Sequence, residues 1–107
     1  MSMENNMSHD ADIEAELVAK GLTAPRITAE HVEGRIIDEA YHVFPGTTVT
    51  VCCLTLWNGF TVTGESACAS TENFDAELGR RIARANAAAK IWALEAYLLR
   101  QHICEGR

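Results

Sequence analysis

The feature that most constrains this chain is its C-terminal third. Over residues 73–101 helical periodicity runs without a break, which at about 1.5 Å per residue is a rod of roughly 40 Å. A domain of 107 residues is narrower than that. Leu78, Ile82, Ala85, Ala89, Trp92, Ala96 and Leu99 recur at alternating steps of four and three, the seam of a heptad. Beside it runs a second stripe, Gly79, Ala83, Ala87, Ile91, Leu94 and Leu98, whose small members admit a close backbone or another helix. Two apolar stripes exceed what one small domain covers, so part of this helix is expected to meet another subunit.

Upstream of the rod the pattern changes period. Residues 47–56 are rich in Thr, Val and Leu with no helical gap, which predicts a strand. Asn58-Gly59 is the dipeptide of a two-residue type I′ hairpin, with both central residues at φ > 0 and Trp57 facing Phe60 across the turn. The return strand, 60–67, holds Gly64, a mark of a bulge or of close backbone approach. Nearer the N-terminus Ile13, Leu17 and Val18 are spaced for a short helix that stops near Gly21. Thr28 is placed to cap a second helix over 29–40, with Val32, Ile36, Ile37 and Ala40 on its apolar face and Gly34 costing it about 1 kcal/mol. Residues 1–9 are polar and read as a disordered arm. The expected architecture is one α+β domain over 10–107: two N-terminal helices, an antiparallel β-hairpin and one long C-terminal helix that mediates oligomerisation.

Nine Lys plus Arg against fifteen Asp plus Glu leave a net charge of −6, which opposes long-range attraction to nucleic acid or an anionic membrane. The acids crowd into the first forty residues, so the C-terminal half can hold a local positive site. Cys52, Cys53, Cys68 and Cys104 form no CxxC or zinc-finger spacing and read as reduced thiols, with no metal or other cofactor implied. Residues 1–10 lack an apolar signal core, and no window reaches the roughly 18 apolar residues of a membrane span. The expected location is the cytosol.

In this acidic chain the first turns of the long helix are cationic. Arg80 and Arg84 stand four apart on one helix face, Arg81 on the adjoining one, and Asn86 follows. Arginine forks match phosphate oxygens and an Asn amide reads a base edge, so a phosphate-and-base pocket is one reading. The other is that Arg80 and Arg81 pair with Glu77 on a solvated face. Phe74, Trp57 and Phe60 can stack a purine, or Phe74 can staple the helix start into the core. His31 and His42 read as surface residues, and no nucleophile, base and orienter are spaced for catalysis, so no enzyme is expected.

The segment 25–30 (PRITAE), the hairpin core 48–66 (TVTVCCLTLWNGFTVTGES), and 73–83 (NFDAELGRRIA) through 90–95 (KIWALE) closely resemble a family of small tailed-phage proteins long of unknown function. The resemblance covers about 22–100. That family is similar to the one holding type 1 Thoeris anti-defence proteins, phage sponges that bind glyco-cyclic ADP-ribose made by host TIR enzymes. The resemblance implies a homo-oligomer, dimer or hexamer, in the cytoplasm of the infected host, holding a cyclic nucleotide at subunit interfaces without hydrolysing it. It further implies separate sites for cyclic oligonucleotides of CBASS-type immunity. The positions matching the family's site are Asn58 and Phe60 at the hairpin tip and Arg80 and Arg84 on the helix. Ala96 stands where the family resemblance leads one to expect Gly, a small change on the packing stripe. Two alternatives remain: an interaction module that inhibits a host protein with no small ligand, and, less favoured, a nucleic-acid accessory protein.

Overall fold

Every second side chain along Thr50–Leu56 is buried and those between are half-covered, the period of a strand with one face on a core. The computed structural model describes residues 3–22 and 24–106, the side chains of 3–10 excepted. The order is α1 (Met3–Ala19), α2 (Ala29–Gly34), β1 (Ile36–Val43), β2 (Thr50–Leu56), β3 (Thr61–Ser66), a 3₁₀ turn (Thr71–Asn73) and α3 (Ala76–Cys104). β2 lies between β1 and β3, both antiparallel to it. α3 crosses one face of this sheet, which makes a two-layer body with extents of 51 × 31 × 17 Å.

The spacing of Val32, Ile36, Ile37 and Ala40 predicts a helix to Ala40, but α2 stops at Gly34 and Ile36–Val43 is a strand. The same apolar positions serve either period over so short a run. Gly34 weakens the helix, whereas the free edge of β2 offers backbone partners from Ile36 opposite Leu56 to Val43 opposite Thr50. The sheet therefore has three strands where the hairpin alone supplies two. β1 is an exposed edge carrying Asp38, Glu39 and a bulge between Ile36 and Asp38, devices that discourage pairing with another chain. At the other boundary α1 begins at Met3, not Asp10, since extending a helix already nucleated costs little per residue.

The hairpin forms with a different turn. Among the described residues none other than glycine has positive φ, so Asn58 does not take the type I′ conformation, while Gly59 has φ 88°. Gly59 N–H donates to Leu56 O, and Leu56 N–H to Phe60 O, both at 2.8 Å. This is a three-residue loop closed by a left-handed glycine. It sets Leu56, not Trp57, opposite Phe60, so the expected Trp57–Phe60 pair is not made.

On α3 the buried residues are Ala83, Ala87, Ile91 and Glu95, four apart. Up to Ile91 they belong to the second stripe. The heptad seam is left at the margin, with Leu78, Ala89 and Ala96 exposed. The reason is Gly64 of β3: a Cβ there would lie 2.1 Å from Ala87 N and 2.4 Å from Ala83 O. Helix backbone and strand backbone touch, and only small residues permit it. Asp75 caps α3 through Leu78 N–H at 3.0 Å and sets its start at Ala76, three residues later than periodicity predicts; the helix also ends three residues later, at Cys104. Ala83, Ala87 and Ile91 join Cys52, Leu54, Leu56, Val62 and Val32 in the core.

Gly64→Ala is expected to cost about 3 kcal/mol or more, because the clashing atoms are backbone and α3 must lift off the sheet. Urea unfolding monitored by Trp fluorescence tests this; a midpoint equal to the parent's would show that α3 is not seated on Gly64.

Candidate functional site

Arg84 follows the buried Ala83, so its side chain emerges at the edge of the helix–sheet contact. Its two terminal nitrogens donate to Glu33 of α2 at 3.1 and 2.9 Å, and its Nε donates to Glu39 of β1 at 3.1 Å. Glu39 reaches the helix because it stands opposite Leu54, which is buried beneath α3. Its other oxygen accepts from the Tyr41 hydroxyl at 2.6 Å. That hydrogen bond, and then Arg84, hold the Glu39 carboxyl below its ordinary range against the opposing effect of burial. Burial first, then the Glu39 bond, push the Tyr41 phenol up, and the Glu33 bond stabilises the charged form of Arg84. Arg84 is thus held by two carboxylates, Glu33 and Glu39, from the N-terminal half of the chain.

The other expected site residues fall into two groups. Arg80 and Arg81 are exposed on α3, and Arg80 forms no ion pair among the described residues. Asn86 donates to Glu65 O at 2.8 Å and ties α3 to β3. Phe74 is half-buried beside Gly79, as a staple at the helix start would be. Asn58 and Phe60 are exposed at the hairpin tip, where Asn58 Oδ1 accepts from Phe60 N–H at 3.1 Å. Ser66, at the far end of β3 from the tip, donates to Gly79 O, so the arginines and the tip lie toward opposite ends of α3. Within one chain they do not share a pocket.

Beside the tip stands a cluster that sequence patterning missed. Trp57 lies under the Arg35 guanidinium, 5.1 Å from ring centroid to Cζ. Arg35 Nε donates to Glu95 Oε1 at 3.0 Å, and His31 Nε2 shares the same oxygen at 2.6 Å. Glu95 is 5% exposed, so its charge needs these partners. Burial is the largest single influence on its carboxyl and raises it, but the His31 and Arg35 bonds together outweigh burial and leave it below its ordinary value. His31 is therefore a partner in a clasp rather than a free surface histidine. Two signals point to the cluster: His31 and Arg35 are four apart around α2, and Glu95 continues the four-residue step of Ala83, Ala87 and Ile91.

Among the described residues no three His, Cys, Asp or Glu side chains converge as metal ligands, and the four cysteines are free. Burial raises the Cys52 thiol. Among the described residues no helix is long and apolar enough to cross a membrane.

The lowered Glu95 carboxyl contributes stability that is full above the ordinary carboxylate range and is lost as pH falls through its folded-state value. Glu95→Gln is expected to cost about 2 kcal/mol at neutral pH, the scale of hydrogen bonds to a charged group. Chemical denaturation of parent and variant at neutral pH and below about pH 4 should show the two converging in acid. A gap that does not narrow would mean the Glu95 charge is not what the clasp depends on.

Comparison with curated proteins and with solved structures finds no match. A family model matches residues 27–103, which takes in α2, the whole sheet and nearly all of α3 and leaves out α1. With well over half its length matched, the chain belongs to the phage protein (N4 Gp49/phage Sf6 gene 66) family.

Proposed function

We propose that this protein is a phage anti-defence protein that sequesters a cyclic nucleotide immune signal, glyco-cyclic ADP-ribose first and cyclic oligonucleotides as further ligands, without hydrolysing it. It would thereby silence Thoeris or CBASS-type immunity in the cytoplasm of the infected host. The observation that carries this reading is the division of the expected site residues between the two ends of α3. Arg80 is exposed with no ion pair among the described residues at one end, and Asn58 and Phe60 are exposed toward the other. A twofold dimer with α3 antiparallel to its copy would set the tip of each subunit near the arginines of the other. The helix carries apolar surface for such a contact in Leu78, Leu94, Tyr97 and Ile103, which are 41, 39, 75 and 47% exposed. In that site Arg80 supplies an unspent fork for phosphate, Phe60 a ring for a base, and Arg84 exchanges one of its carboxylates for a phosphate oxygen.

A second reading is favoured by Arg84 itself. Its three hydrogen bonds to Glu33 and Glu39 already occupy it in the isolated chain, as a structural arginine in an interaction module would be. The two readings differ in what the purified protein releases. A sponge exposed to cell extract containing the signal returns intact nucleotide on heating, and an interaction module returns none.

By calorimetry with glyco-cyclic ADP-ribose, Arg80→Ala and Arg84→Ala are each expected to weaken binding by about 1.5 kcal/mol or more, the range of a charge-assisted hydrogen bond. Unchanged affinity would remove that arginine from the site. Light scattering should find a dimer or hexamer at micromolar concentration; a monomer would remove the shared pocket.

A further inference from the structure

A hollow of about 170 Å³ opens where the segment entering α2 crosses the C-terminal part of α3. Pro25, Ile27, Leu98 and Leu99 form its apolar wall. Arg26, His31, Arg35 and His102 form its polar wall, with Glu95 among them. A more open depression of about 450 Å³ adjoins it and shares His31 and Arg35.

Charge sets this hollow apart. In a chain of net charge −6, four groups able to carry positive charge surround one carboxylate. Arg26 is engaged by Glu14 of α1. Arg35 is engaged only in part, through its Nε on Glu95 and its face on Trp57. Among the described residues nothing accepts from its two terminal nitrogens, and neither His31 Nδ1 nor either ring nitrogen of His102 has a partner. A guanidinium pinned along one edge and one face presents its remaining fork already oriented, which lowers the ordering cost of binding. That fork fits two oxygens of an oxyanion.

We infer that this hollow binds a small organic oxyanion, a carboxylate or phosphate on a short apolar body, held by the free edge of Arg35 and by His102 with its body against Leu98 and Leu99. At about 170 Å³ it is below the roughly 300 Å³ at which pockets begin to enclose drug-sized ligands, so what it encloses is a small anion rather than a whole nucleotide. Glu95 stands eleven residues beyond Arg84, about 16 Å along α3, so within one chain the hollow is separate from the arginines proposed to hold the cyclic nucleotide's phosphates.

The test is NMR titration of the full chain with phenyl phosphate, benzoate and inorganic phosphate, following the His31 and His102 rings and the Arg35 guanidinium. The expected result is saturable shifts at all three side chains with phenyl phosphate or benzoate, at a Kd of about 1 mM or tighter. Arg35→Lys and His102→Ala should each weaken that binding about tenfold. The lysine can still pair with Glu95 and His102 takes no part in the clasp, so both variants keep the fold. Comparing phenyl phosphate with benzoate ranks the two headgroups, and either preference supports the site. Absence of saturable shifts from every probe would overturn it. So would inorganic phosphate binding as tightly as the organic anions and indifferent to His102→Ala, the behaviour of diffuse surface charge. An Arg80→Ala/Arg84→Ala double variant should bind these anions like the parent, which keeps this outcome independent of the nucleotide-binding one.

Discussion

The contact on which the rest of the structure depends is one of backbone against backbone. Gly64 of β3 sits directly under Ala83 and Ala87 of α3, closer than any side chain would allow. That seat decides which stripe of α3 is buried, because a helix pressed this near to a strand must present glycine and alanine to it. It also aligns the helix along the sheet, with Gly79 over the Thr50–Ser66 end and Glu95 beside the hairpin tip. The heptad seam, which would suit packing at side-chain distance, is left to the margin and to whatever meets it from outside.

Once α3 is seated, charge holds the remaining pieces to it. α2 has six residues, too few to persist alone. It is capped by Thr28, buries Val32, and is tied to α3 twice, by Glu33 to Arg84 and by His31 to Glu95. β1 adds Glu39 to the first of these ties, and Arg35, between α2 and β1, adds to the second. The acidity of the N-terminal half and the cationic start of α3 are therefore partly answered within one chain. What this leaves over is unequal: Arg80 faces solvent with no ion pair among the described residues, and Arg35 keeps one open edge toward a hollow.

Much of this was legible in the residues. The long helix, the hairpin at Asn58-Gly59, the cap at Thr28 and the close approach at Gly64 each follow from local chemistry and appear where that chemistry puts them. The third strand was not legible. Over 36–43 the apolar positions satisfy helix and strand alike, and what selects the strand is the free edge of β2, which is remote in sequence. The turn was half legible: Gly59 takes positive φ, but whether the loop holds two residues or three depends on the register between β2 and β3. As for the site, the residue types were visible, but Arg84's partners lie 51 and 45 positions away and Glu95's lie 64 and 60 away.

By itself the sequence determined the α+β class and the placement of a cationic helix start in an acidic chain, since these rest on local period, turn chemistry and composition, while the family rests on the match of residues 27–103 to its model. Tertiary structure decided which stripe of α3 is core, that β1 exists, and which charges are spent. Those outcomes turn on distances between segments far apart along the chain, and a distance between segments exists only once Gly64 has let the helix down onto the sheet.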